Sequence, residues 1–188
     1  MEPSDRELTP LYARLLLRLT WPFPNFDVPF MKPVREAAVR LLRLEPGDRV
    51  LDVGCGMGGS FPLLADAVGR TGEVVGVEIS PQTVASARRR IDRNKWANAK
   101  VLQAAAEAVS LSGTYQALIM FAAPDVYGSK AALANILPHL RDGSRIVLFG
   151  AKRSHGRSAE RSILSSSWRY PSCRSRPRHC QMPSLGNS

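Results

Sequence analysis

The sequence predicts an α/β fold, a doubly wound and mostly parallel sheet with helices on both faces. Three observations predict it. From Lys32 to Gly150, apolar runs of strand length alternate with amphipathic runs of helical spacing, and that alternation builds a parallel sheet flanked by helices. The stretch Val50 to Ser60, VLDVGCGMGGS, is a short apolar strand running into a turn with glycines at Gly54, Gly56, Gly58 and Gly59. A second apolar strand, Glu73 to Ile79, carries an acid, Glu78, 20 residues after Gly58.

The elements follow in chain order. Thr9-Pro10 starts a helix as cap and first residue. In it Leu11, Leu15 and Leu19, with Tyr12 and Leu16 beside them, form an apolar stripe flanked by Arg14 and Arg18. Trp21-Pro22-Phe23-Pro24 ends it, because two prolines cannot continue a helix. This basic, leucine-rich helix has two readings: packed on the domain with solvated arginines, or lying on a membrane or lipid surface or over a greasy substrate. A second helix spans Lys32 to Leu44, with Val34, Ala37, Ala38, Leu41 and Leu42 inward, and Glu45-Pro46-Gly47-Asp48 turns the chain into the first strand. After the glycine turn, Phe61, Leu63, Leu64, Ala67 and Val68 repeat with helical spacing and Gly69 is the stop. Ser80-Pro81 caps the next helix, in which Val84, Ala87 and Ile91 line one face and Arg88, Arg89, Arg90 and Arg93 crowd a solvated one. Ala99 to Leu102 is the third strand and Tyr115 to Ala122 the fourth. Ser129 caps a helix holding Leu133, Ile136, Leu137 and Leu140. Arg141-Asp142-Gly143 then turns into a fifth strand, Arg145 to Phe149.

The length of 188 residues suits one domain with a real core. No apolar run approaches the roughly 20 residues of a membrane span, and the N-terminus lacks a signal peptide's apolar centre. Three scattered cysteines argue against a disulfide scaffold and for a reducing, cytoplasmic setting. The net charge of +10 is unevenly placed: from Lys152 onward eight Lys or Arg face the single acid Glu160, so the tail carries +7 and the preceding residues +3. The domain itself is near neutral, and no specific nucleic acid is expected as a partner.

Two ligand classes fit the glycine turn. Gly54-Cys55-Gly56-Met57-Gly58-Gly59 satisfies the dinucleotide pattern G-x-G-x-x-G. Counted from Asp52, the same residues read Asp-x-Gly-x-Gly-x-Gly. A carboxylate beside the turn repels a pyrophosphate, whereas a ligand with an amino group and a sulfonium is attracted. Glu78, at a strand end, is placed to accept hydrogen bonds from both ribose hydroxyls, chemistry common to both ligand classes.

Read with its flanks, the string from Asp52 to Gly58 resembles motif I of the class I, Rossmann-like S-adenosylmethionine-dependent methyltransferases. The resemblance covers residues 34–151 and rests on VLDVGCGMGG, on VVGVEIS and on the stretch from Leu137 to Gly150. It implies a sheet of order 3-2-1-4-5 and S-adenosyl-L-methionine as cofactor. It further implies that Asp52 and the backbone at Gly54, Gly56 and Gly58 meet the methionine end, with Cys55 a small residue of the cofactor-binding turn, that Glu78 holds the ribose, and that Ile79 lies against the adenine. Ala106 and Glu107 would fall in the adenine-side loop, and Phe121 beside the sulfonium. The chain departs from the family at two places. Ala104-Ala105-Ala106 stands where Gly-Asp-Ala is common, and Gln116 where an acid is usual near the start of strand four.

Methyl transfer from a sulfonium draws on positioning and a dry site, and a general base is optional. No residue is therefore assigned as catalytic. Asp125, Tyr127 and His155 are the nearest candidates, each also explained as an ordinary loop residue. His139 lies at the opposite end of the sheet, and no metal site is expected.

After Ala151 the family fold needs two further strands, yet residues 152–188 are rich in Ser, Arg and Pro without alternation and cannot build a core. The expectation is an N-terminal helical cover (1–47), a cofactor-binding domain (48–151) and a disordered basic tail (152–188), as a truncation, frame shift or splice product yields. Strand five then becomes an apolar edge through which copies of the chain could associate. The leading function is S-adenosylmethionine-dependent methylation of a small, apolar molecule. The alternatives are a non-catalytic methyltransferase-like protein that binds cofactor or a partner, and an NAD(P)-dependent oxidoreductase.

Overall fold

A computed structural model describes residues 31–151 and 163–169. Its helices are α1 (Lys32–Leu41), α2 (Phe61–Val68), α3 (Pro81–Asn94), α4 (Pro124–Tyr127) and α5 (Lys130–Ile136). Its strands are β1 (Arg49–Val53), β2 (Glu73–Glu78), β3 (Ala99–Gln103), β4 (Tyr115–Phe121), β5 (Leu140–Ala151) and β6 (Ile163–Arg169). They form one sheet of order β3-β2-β1-β4-β5-β6. The first five strands are parallel, as the alternation predicts.

The strands are apolar on both sides because both faces are covered. Val50, Val74, Ala117 and Ile119 join Val39 of α1, Phe61, Leu64 and Val68 of α2, and Val84 and Ala87 of α3 in one core cluster. Leu51, Val53, Val75, Val77, Leu118 and Met120 face the other way, onto Ala132 and Ile136 of α5. Helix boundaries follow local chemistry. Gly69 ends α2 with φ 62. The Ser80 hydroxyl accepts from the Thr83 N–H at the start of α3, and the Ser129 hydroxyl does the same for Ala132 at α5.

The N-terminal strand ends are tied together by Arg49. Its Nε donates to Glu73 at 2.7 Å, and its other nitrogens donate to the carbonyls of Thr114 and Ser112 at 3.0 and 3.1 Å. Its guanidinium lies 4.6 Å from the centre of the Tyr115 ring. Gln116, the departure from the family acid, accepts the Arg49 backbone N–H at 2.8 Å. A neutral acceptor is enough there.

Two expectations change. The turn predicted at Arg141-Asp142-Gly143 lies inside β5, as an irregularity between the pairs Tyr115↔Leu140 and Ala117↔Arg145. The buried Ser144 hydroxyl, donating to the Tyr115 carbonyl at 2.8 Å, holds it. The second change is larger. Within the tail expected to lack structure, β6 lies antiparallel against β5, from Arg145↔Arg169 to Ala151↔Ile163. Strand five is therefore paired on both sides, and the edge proposed for self-association is not free. Backbone pairing needs no side-chain alternation, so Ser165-Ser166-Ser167 gave no signal of period two. The helix predicted from Thr9, His155 and the remainder of the tail lie outside the described residues.

Candidate functional site

The C-terminal ends of β1, β2 and β4 meet at the glycine turn, the crevice where open parallel sheets bind ligands. The turn is built from left-handed residues: Gly54, Gly56 and Gly58 have φ of 73, 58 and 73. A side chain on Gly54 would be strained by that backbone and would also stand 2.6 Å from the Ala123 side chain. The N–H groups of Gly54 and Cys55 both donate to the Val77 carbonyl, at 2.9 and 3.1 Å, pinning the turn to β2. Arg90 of α3 donates to the Gly58 carbonyl at 3.1 Å.

Glu78 closes the turn from the second strand. One carboxylate oxygen accepts from the Gly56 N–H at 3.1 Å, the other from the Ser80 N–H at 3.0 Å. Each oxygen keeps a second lone pair for a ligand hydroxyl. Beside it Ile79 is 66% exposed, one of two large apolar side chains so exposed among the described residues.

Asp52 is 1% exposed, and neither of its oxygens accepts a hydrogen bond of ordinary geometry. Burial pushes its carboxyl up to about 7; the Arg35 guanidinium opposes the rise, the charge of Glu78 adds to it, and the nearby Ser60 hydroxyl lowers it slightly. Cys55 is a buried thiol held well above its ordinary range, by burial first and then by the charges of Asp52 and Glu78. It is not a nucleophile at neutral pH. Its sulfur and the Phe61 ring fill the space over Gly76, where a Cβ would stand 2.7 and 2.6 Å from them.

Phe121 ends β4 and stacks on Phe149 of β5, with ring centres 4.6 Å apart. The Arg35 guanidinium also lies over the Phe121 ring, 4.7 Å from its centre. Arg35 is a site residue that sequence reading missed. It sits in α1, ahead of the motif, and nothing in the helical spacing marks it as 7% exposed. A charged residue sharing the inward face with Ala38 and Val39 was the one available signal.

Asp52, Gly54, Cys55, Gly56, Gly58 and Glu78 thus lie together at the turn, and Phe121 lies beside Arg35, whose charge acts on Asp52. Ala106 and Glu107 face elsewhere: Ala106 is buried in the α5-side cluster and its carbonyl accepts from Asn135 at 3.0 Å. Glu107 accepts from the Ser129 hydroxyl at 2.9 Å. Asp125 and Tyr127 lie on α4, directly after β4. His139 stands at the other end, 3.3 Å from the Gly113 carbonyl.

The arrangement fits a ribose-bearing, cationic ligand. A buried carboxylate without a donor calls for one, a half-satisfied Glu78 can take hydroxyls, and an exposed Ile79 can take an aromatic ring.

Comparison with known proteins agrees. The methyltransferase domain family matches residues 50–143, half of the 188-residue chain. Aklanonic acid methyltransferase DauC of Streptomyces sp. (strain C5) is 30% identical over 133 residues, covering 66% of this chain and 58% of that enzyme. The 23S rRNA (uracil(1939)-C(5))-methyltransferase RlmD of Acinetobacter baumannii (strain AB0057) is 44% identical over 114 residues, 53% of this chain and 25% of the enzyme. The chain thus spans less than two thirds of either relative. Among solved structures, a SAM-dependent methyltransferase from Aquifex aeolicus superposes with a TM-score of 0.60 at 20% identity, covering 72% of this chain and 74% of that one. With the family matched across the glycine turn, both carboxylates and the sheet order, the chain belongs to the class I, Rossmann-like S-adenosylmethionine-dependent methyltransferases.

Proposed function

We propose that the chain transfers a methyl group from S-adenosylmethionine to a small, apolar acceptor. The observation that carries this reading is the meeting of a left-handed three-glycine turn with two carboxylates, Asp52 and Glu78, at the C-terminal strand ends. Bound there, S-adenosylmethionine supplies a methyl group on a positively charged sulfur, ready for in-line displacement.

The chain's own residues do the rest by holding and shielding. Glu78 accepts the ribose hydroxyls through the lone pairs left by Gly56 and Ser80. Ile79 covers one face of the adenine. Asp52 faces the ammonium of the methionine end, and Arg35 balances the two negative charges around the pocket. The stacked rings of Phe121 and Phe149 form an apolar wall on the acceptor side. Such a wall excludes water and orients the acceptor, and for this chemistry positioning supplies much of the rate. An apolar acceptor is supported by that wall and by similarity to an enzyme named for aklanonic acid. The segment from Tyr12 to Phe30, with its leucines, Trp21 and three phenylalanines, belongs to the same reading, as a cover over the acceptor or a contact with lipid. A cytoplasmic setting fits the scattered cysteines.

Calorimetric titration with S-adenosylmethionine, S-adenosylhomocysteine and NAD tests the proposal. The two sulfur ligands are expected to bind. Tighter binding of NAD than of either would sink it.

A further inference from the structure

A left-handed alanine at the end of β4 sets a tyrosine over the end of β5. Ala122 has φ 60, a conformation strained for any residue that carries a Cβ, and its N–H donates to the Phe149 carbonyl at 2.6 Å. The bend leads at once into α4. A Cβ on Gly54 would stand 2.6 Å from the Ala123 side chain and 3.8 Å from that of Val126, so α4 is seated on the cofactor turn itself. Its last residue, Tyr127, reaches across to β5. There a Cβ on Gly150 would collide with the Tyr127 hydroxyl and stand 3.2 Å from the ring carbon that bears it. Successive side chains of a strand point to opposite faces. The stacked Phe121 and Phe149 rings therefore border one side of this strand end and the Tyr127 phenol the other.

The phenol is held in place by packing while its polar end stays open. Tyr127 is half-buried, and its hydroxyl makes no hydrogen bond to another described residue. That oxygen is not among the enclosed polar atoms either, so solvent reaches it. Burial raises the ionisation of the phenol and the charge of Asp125 adds to the rise. The group is thus a neutral donor at physiological pH and not a base.

We infer that the Tyr127 hydroxyl donates a hydrogen bond to the methyl acceptor and so selects apolar acceptors that carry an accepting oxygen, with Gly150 keeping open the space the phenol occupies. The inference rests on the functional reading above and narrows its acceptor class. Aromatic walls hold an apolar molecule but orient it poorly, and a single placed polar group fixes the orientation. A hydroxyl that must give up water on binding also penalises an analogue without the oxygen, because nothing replaces the lost bond. Tyr127 is in this sense a positioning residue: it orients the acceptor and neither takes a proton nor forms a covalent bond.

The test uses the full chain saturated with S-adenosylhomocysteine and two probes, acetophenone and ethylbenzene, which differ by a carbonyl oxygen in place of two hydrogens. Ligand-detected NMR titration gives both affinities. The readout is their ratio, which a general loosening of the fold would leave unmoved. Tyr127→Phe removes the hydroxyl alone. Gly150→Ala keeps it but pushes the phenol aside, at a backbone conformation that alanine adopts without strain. Each variant should lower the ketone-to-hydrocarbon ratio roughly fivefold, the size that one neutral hydrogen bond sustains, while S-adenosylhomocysteine still binds. An equal ratio in wild type and Y127F overturns the inference, and so does failure of both probes to bind the wild-type complex. A ratio lowered in Y127F but unchanged in G150A supports the hydrogen bond and overturns the part given to Gly150. If S-adenosylhomocysteine itself fails to bind the wild-type chain, the functional reading falls and takes the inference with it, an outcome read before either probe is added.

Discussion

Glu78→Gln looks conservative and should not be. The two carboxylate oxygens of Glu78 accept from two different backbone donors, Gly56 at 3.1 Å and Ser80 at 3.0 Å. A glutamine has only one oxygen. Whichever donor that oxygen keeps, the amide nitrogen is turned toward the other N–H, donor against donor. One charge-assisted bond becomes neutral and the other is lost, which puts the cost at about 2–3 kcal/mol in a part-buried setting. For a domain of this size that is a fall of roughly 4–10 °C in Tm. The loss falls where it matters functionally: Gly56 is the middle of the left-handed turn, and Ser80 is the residue that caps α3. Glu78→Ala removes both acceptors but lets water reach both donors, so its stability loss should be similar or smaller. Its affinity for S-adenosylhomocysteine should still fall by about 1–3 kcal/mol. Thermal unfolding without ligand, followed by calorimetry with S-adenosylhomocysteine, reads both effects. If E78Q unfolds at the wild-type temperature and binds as tightly, Glu78 is not the clamp of the turn.

Three further outcomes are expected. Gly54→Ala puts a Cβ at φ 73 and 2.6 Å from the Ala123 side chain; a loss of at least about 1–2 kcal/mol is expected and is read by denaturant unfolding, with weakened S-adenosylhomocysteine binding alongside. The raised carboxyl of Asp52, at about 7, means the folded chain binds the proton more tightly than the unfolded one, so its contribution is full at acid pH and lost as pH rises from about 4 through 7; unfolding free energies across that range should fall for wild type relative to D52N, and parallel profiles would refute this. Deleting residues 1–30 should spare S-adenosylhomocysteine binding while removing transfer to the true acceptor; retained transfer would make that segment scaffold only.

The sequence by itself determined the sheet and the cofactor turn. Strands buried on both faces read as unbroken apolar runs, and Val50–Val53, Glu73–Glu78 and Tyr115–Phe121 did so. The glycines declared themselves because only residues without a Cβ tolerate their backbone at no cost, and Glu78 declared itself by its place at a strand end. These are local signals, carried by neighbours along the chain. Tertiary structure alone decided what depends on residues distant in sequence. Arg35 enters the site because α1 packs across the ends of β4 and β5, setting its guanidinium on Phe121, and helical spacing cannot say which charged residue a core will accept. Asp52 has no hydrogen bond of ordinary geometry, and its carboxyl is pushed up, because packing buries it inside the sheet. Strand β6 pairs with β5 through backbone groups that every residue possesses, so its serines concealed what the partner strand, once formed, selected.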